Sequence, residues 1–210
     1  MKIIVDNVSK SMKNSNILDN ISCQFNSGNI YGIVGENGSG KTMLLRTIIG
    51  LMKPTSGSIK LDNEVIGQTI DFPPSVGIII EKPEFISYLS GYENLKLISE
   101  VKEIISDEKI KEYMRKFSLD PESKKTMKKY SLGMKQKIGI IQAIMEEPEL
   151  LILDEPFNAL DKDSVEILRK ILLDFKEQGK LIIITSHHSD DIESICNATI
   201  SIKDGRIQNN

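Results

Sequence analysis

The octapeptide GENGSGKT, residues 35 to 42, sits where an apolar run ends and a helical pattern begins, and matches the phosphate-loop pattern G-x-x-x-x-G-K-[ST] in full. Gly35, Gly38 and Gly40 let the backbone take conformations closed to other residues and approach an anion closely; Asn37 and Ser39 belong to the same binding turn. Lys41 suits the β- and γ-phosphates, and the Thr42 hydroxyl suits Mg²⁺. A glycine cluster alone could be no more than a flexible turn. Lys-Thr at the correct offset argues otherwise.

A second group of chemical residues lies in LLILDEP, residues 150 to 156, where Asp154 and Glu155 end an apolar run. Carboxylates there are costly to bury unless they meet a cation or another partner. Asp154 is the candidate Mg²⁺ ligand, directly or through water, and Glu155 the candidate base that polarises an attacking water. A third apolar run leads into TSHH, which holds the only two histidines; His187 is the candidate γ-phosphate contact, with His188 the alternative register. Finally, YSLGMKQK, residues 130 to 137, puts a serine and a glycine immediately ahead of a helix read as Met134 to Met145. Such a turn presents unpaired N–H groups and the positive end of a helix dipole to an anion. One chain thus carries two anion-binding turns.

The elements that must position these residues follow from periodicity and punctuation. Residues 3 to 34 read as strands, IIVDNV, ILDNISCQF and NIYGIV, separated by polar clusters. TMLLRTIIGLM reads as a helix stopped by Pro54, and SIKLDN as a strand after the turn PTSG. VGIIIE at 76 to 81, LLILD at 150 to 154 and LIIIT at 181 to 185 are short apolar runs of the kind buried strands show, and their separation by helical stretches predicts a parallel sheet. Between Glu81 and Leu150 the pattern is helical, with a capping box at Ser90 and Glu93 and another helix opening at Asp107, so a helical lobe is inserted in an α/β core. Val165, Leu168, Ile171, Leu172 and Phe175 mark the crossover helix that Gly179 closes.

Composition narrows the partners. The 210 residues suit one domain, and 27 basic against 30 acidic residues give no broad field for nucleic acid or an anionic membrane, so nucleic acid is disfavoured. Two cysteines, Cys23 and Cys196, supply neither a disulfide framework nor a zinc spacing, which suits a reducing cytosol. No apolar run approaches membrane-span length, and MKIIVDNVSK turns polar too quickly for a signal peptide.

Together these motifs resemble the nucleotide-binding subunit of ABC transporters, over essentially the whole chain. The family's signature turn, L-S-G-G-Q, corresponds to Tyr130-Ser131-Leu132-Gly133-Met134; its D-loop resembles NALD with Asp161; its switch histidine falls on His187. The resemblance implies an α/β fold: a P-loop NTPase core with a mostly parallel sheet, an N-terminal antiparallel β subdomain and an inserted helical subdomain. The expected organisation is a single domain over 1–210, with about 1–80 and 146–210 forming the core and about 82–145 the helical subdomain. It also implies ATP and Mg²⁺ as ligands, ATP hydrolysis coupled to transport, a separate transmembrane permease as partner, and a cytoplasmic place on the inner face of the cell membrane through that permease. Two such subunits, identical or different, would meet head to tail, with Ser131 and the Gly133 N–H capping the γ-phosphate held by the other chain.

Three positions depart from the family pattern. Glu81 stands in the Q-loop where glutamine is usual and keeps an oxygen for Mg²⁺ or water; Met12 stands where an aromatic stacks on adenine; the signature has Leu132 and Met134 for Gly and Gln. IIEKPEF, a following Y-x-N-L helix and YSLGMKQ resemble the branch that exports, or confers immunity to, antimicrobial peptides of the bacitracin type. The lysines around the signature (Lys124, Lys125, Lys128, Lys129, Lys135, Lys137) either attract nucleotide or form a solvated face. The alternative function is a nucleotide-regulated soluble ABC protein not linked to transport.

Overall fold

The structure is a computed structural model and describes residues 1–12, 15–187 and 190–208. Alternating apolar residues make β1 (Lys2–Met12) and β2 (Ser15–Asn26) an antiparallel pair, after which β3 (Asn29–Val34) leaves for a second sheet. Helix α1 (Lys41–Ile48) follows the phosphate loop, and β4 (Ser56–Leu61) and β5 (Glu64–Val65) return to the first sheet, whose order is β2-β1-β4-β5. The chain then runs through β6 (Val76–Ile79), α2 (Gly91–Lys102), α3 (Asp107–Lys116), a 3₁₀ turn (Met127–Lys129) and α4 (Leu132–Ile144). It closes with β7 (Leu150–Leu153), α5 (Lys162–Glu177), β8 (Leu181–Ser186), α6 (Asp190–Glu193), β9 (Ala198–Lys203) and β10 (Arg206–Ile207).

The second sheet has the order β10-β9-β3-β8-β7-β6 and is parallel except for the β9–β10 pair. Strand β7 and β8 through Ile184 are apolar on every residue because both faces are covered. Successive side chains point to opposite faces, so Leu150, Ile152, Leu181 and Ile183 pack with α1 and the antiparallel sheet, while Leu151, Leu153, Ile182 and Ile184 pack with α4, α5 and the helical lobe. The lobe has no core of its own: Leu95, Ile110, Met114 and Phe117 join the same cluster as the sheet's Leu151 and Leu153. No helix among the described residues is long and apolar enough to cross a membrane.

Local signals set several element ends. Ser90 accepts from the Glu93 N–H at 3.2 Å while Glu93 accepts from the Ser90 N–H at 2.7 Å, the reciprocal box its sequence predicts. The first helix is shorter than the pattern over 42–52 suggests: it ends at Ile48, because Gly50 takes φ +87° and turns the chain away well before Pro54. Helix α3 is capped by Ser106, one residue ahead of Asp107. Helix α4 begins at Leu132, two residues ahead of the apolar period, with Ser131 as its N-cap. Both cysteine thiols are free, and burial pushes each up to about 12, which keeps them protonated and unreactive.

Helix α4 and the sheet approach closely at Gly77 in β6. A Cβ there would lie 1.9 Å from the Ala143 carbonyl of α4 and 2.8 Å from Pro148, contacts that only backbone movement could relieve. A Gly77→Ala variant should therefore lose about 2 kcal/mol or more of stability, read as a lowered midpoint in urea unfolding.

Candidate functional site

Parallel pairing brings four strand ends to one edge. Val34 of β3 lies opposite Ser186 of β8, Leu153 of β7 opposite Ile184, and Ile79 of β6 opposite Leu153. The residues immediately beyond these ends are the phosphate loop, Asp154 with Glu155, His187, and the segment leading to Glu81. An edge of this kind, outside the carboxyl ends of parallel strands, is where ligands bind in open α/β sheets.

The phosphate loop curls over the start of α1. Gly38 (φ +82°) and Gly40 (φ +111°) occupy the left-handed region, and space above Gly38 is open to any incoming group. Gly40 caps α1 without a side-chain hydrogen bond, so the helix's first N–H groups keep no side-chain acceptor of their own. Lys41 is buried, its Nζ donating to the Gly35 carbonyl at 2.6 Å and the Glu36 carbonyl at 3.3 Å. Ser39 is buried with its Oγ unpartnered. A cavity of about 250 Å³ lined by Asn37, Lys41, Thr42, Glu81, Asp154 and Glu155, among others, opens over this loop.

Asp154 is the junction. Its Oδ2 accepts from Thr42 Oγ1 at 2.7 Å, its Oδ1 from Thr185 Oγ1 at 2.6 Å, and its N–H donates to the Ile79 carbonyl at 2.7 Å. The Thr185 oxygen in turn accepts from the Glu155 N–H at 2.9 Å. Thr185 is fully buried, and its only sequence signal is being a hydroxyl at the end of a strand otherwise apolar through Ile184.

Glu155 adopts φ +50°, and its Oε2 lies 2.8 Å from His187 Nδ1 and 3.3 Å from the His187 N–H. Its Oε1 is buried without a hydrogen bond and lies 3.5 Å from Lys41 Nζ, within ion-pair reach. Lysine, glutamate and histidine thus form one chain of contacts. His188 lies outside the described residues.

The remaining expected residues fall in different places. Glu81 (φ +63°) lines the cavity, but its carboxylate is paired with Arg46 of α1 at 2.8 Å. Met12 ends β1, exposed, and does not line the cavity; Ile17 does. Ser131 Oγ accepts from the Met134 N–H at 3.2 Å as the cap of α4, and is not among the cavity's lining residues. Asp161 caps α5 through the Ser164 N–H and is held well below the usual carboxylate range, first by Lys137 Nζ at 2.7 Å.

The donors present fit a polyphosphate with a hard divalent cation. Unpaired N–H groups and a buried lysine suit the anion, the Ser39 hydroxyl is left without a hydrogen-bond partner, and Thr42 with Asp154 supplies the one or two protein oxygens Mg²⁺ usually takes beside phosphate and water. Among the described residues no group of three or more His, Cys, Asp or Glu could hold a metal alone.

If Thr185 is the buried strut of this edge, Thr185→Val leaves an Asp154 oxygen and the Glu155 N–H without partners. Stability should fall by about 1–3 kcal/mol in denaturant unfolding, with loss of ATP turnover beyond what partial unfolding explains.

The chain is similar to known proteins. The family described as ABC transporter matches residues 18–158. An uncharacterized ABC transporter ATP-binding protein of Bacillus subtilis is 45% identical over 206 residues, covering 98% of this chain and 94% of the relative. The bacitracin transport ATP-binding protein of Enterococcus faecalis is 37% identical, covering 98% of this chain and 67% of that protein. The solved ATP binding subunit of an ABC transporter superposes with a TM-score of 0.89 at 26% identity, covering 100% of this chain and 89% of that one. The chain belongs to the ABC transporter family, in which it is an ATP-binding, ATP-hydrolysing subunit.

Proposed function

We propose that this subunit powers a separate transmembrane permease that exports a peptide antibiotic or similar drug-like molecule, binding at the inner face of the membrane through that permease. The likeness to a bacitracin transport protein supports the substrate class. The observation that carries the mechanism is the shared sheet edge, where Lys41, Thr42, Asp154, Glu155 and His187 meet while Ser131 lines no part of that cavity.

Gly35, Asn37, Gly38, Ser39 and Gly40 cradle the phosphates with Lys41 neutralising them; Thr42 and Asp154 would hold Mg²⁺, and Glu81 would add an oxygen directly or through a water. Bound Mg²⁺ would neutralise charge on the phosphate oxygens and orient them. Glu155 accepts the proton of the attacking water, and His187, hydrogen-bonded to the same carboxylate, holds it in place and reaches the γ-phosphate. Glu155's left-handed backbone, fixed by the N–H bond to Thr185, aims the side chain into the cavity rather than along the strand.

The pocket on one chain is incomplete. Ser131, at the start of a helix with no acidic residue in its first turn, is a second anion site that lines no part of the chain's own phosphate cavity. A second subunit, identical or different, would bring its Ser131 and Gly133 N–H to this chain's nucleotide. ATP then joins two chains and its cleavage releases them, with residues 82–145 acting as the lobe that meets the permease.

A Glu155→Gln variant should bind ATP and form dimers while losing hydrolysis by roughly 10²- to 10⁴-fold. Phosphate release and sedimentation with Mg-ATP measure both; undiminished turnover would remove Glu155 from the role of base. Co-purification of a polytopic membrane protein with the wild-type chain is the expected outcome for a transporter subunit, and its replacement by RNA or DNA would favour the soluble alternative.

A further inference from the structure

Helix α4 is fastened to the loop between Glu155 and Asp161 by contacts of three kinds. A Cβ on Gly133 would lie 2.6 Å from the Ala159 carbonyl, so helix and loop meet backbone to backbone. One turn on, Gln136 Nε2 donates to the Pro156 carbonyl at 3.2 Å. Beside it the buried Lys137 places Nζ 2.7 Å from Asp161 Oδ2, while the other Asp161 oxygen caps α5.

The loop needs such support. Glu155 and Ala159 both take left-handed backbone conformations, at φ +50° and +62°, without being glycine. Elsewhere α4 is held by apolar packing, with Ile138, Ile140, Ile141 and Ile144 in the cluster shared with the sheet. Such packing sets the helix's general placement but is non-directional, whereas a charge-assisted hydrogen bond adds a directional restraint on its rotation and advance. An unpaired lysine at this depth is costly, which biases the pair toward staying closed.

We infer that Lys137, acting through Asp161, is a positioning residue that couples the two half-sites of one chain. It ties the turn carrying Ser131, offered to the second subunit, to the loop carrying Glu155, which serves the chain's own nucleotide. The inference rests on the composite-site reading above. Gly133 then has a steric task besides presenting its N–H, since any side chain would push the signature turn off the loop.

The test uses the hydrolysis-blocked Glu155→Gln protein with Mg-ATP, comparing it with the same protein carrying Lys137→Met. Nucleotide affinity of the dilute monomer should be unchanged, because Lys137 lines none of the phosphate cavity. ATP-dependent dimerisation, read by analytical ultracentrifugation, should weaken by roughly tenfold or more. Lys137→Arg should restore it, and Asp161→Asn, which keeps an α5 cap but no charge, should reproduce the loss; the latter decides the matter should Lys137→Met fail to fold. Equal dimer affinity in variant and parent overturns the inference, as does a loss matched by weakened monomer binding. A parent that stays monomeric overturns the composite site itself, and this coupling with it.

Discussion

A carboxylate at the end of a buried strand must be paired, and Asp154 meets that constraint by drawing three neighbouring elements to itself. Its two oxygens take the hydroxyls of Thr42 from α1 and Thr185 from β8, and its N–H reaches β6. Unpaired, the same group would carry a desolvation penalty of several kcal/mol. The contacts that remove this penalty also set the spacing between the phosphate loop, the carboxylate edge and the last strand. Stability and site geometry here are one arrangement: the Thr185 hydroxyl that satisfies Asp154 also holds the Glu155 N–H, and so fixes the backbone from which the candidate base extends.

The parallel sheet makes this economy possible. Strands running the same way end on the same edge, so residues separated by more than a hundred positions, such as Thr42 and Asp154, become hydrogen-bond partners. Burial of both faces then lets β7 and most of β8 be continuously apolar, with alternate side chains feeding two separate clusters. One cluster joins the sheet to α1 and the antiparallel strands; the other joins it to the helical lobe. Because the lobe shares the sheet's core, displacement at the edge that carries the candidate site has a packed route to α4 and the turn before it. The polar contacts from Gln136 and Lys137 give that route a direction which apolar packing lacks.

Most of the candidate site residues were legible because their chemistry is local. The phosphate loop is a contiguous pattern whose glycines and Lys-Thr pair work within one turn, and the D-E step after an apolar strand announces itself by the cost of burying charge. The capping box at Ser90 and the apolar strands were equally readable. What escaped were features made by distant neighbours. Thr185 is unremarkable in LIIITS until Asp154 and Glu155 are seen on either side of its hydroxyl. Arg46 has no local mark that pairs it with Glu81, and Lys137 looks like one of several solvated lysines although it is buried on Asp161. Strands β9 and β10 also went unread, since ATISIK is half exposed and lacks the unbroken apolar character of the central strands.

The amino-acid sequence by itself determined that this chain binds phosphate, that a metal-seeking carboxylate and a candidate base follow a buried strand, and that the order of motifs is that of the ABC transporter family. It did so because those properties depend on residues within a few positions of one another. Which hydroxyls satisfy Asp154, which cation holds Glu81, and which lysine is buried rather than solvated were decided only by the tertiary structure. Each depends on strand register and on a helix's rotation over the sheet, and these follow from the packing of the entire core rather than from any single stretch.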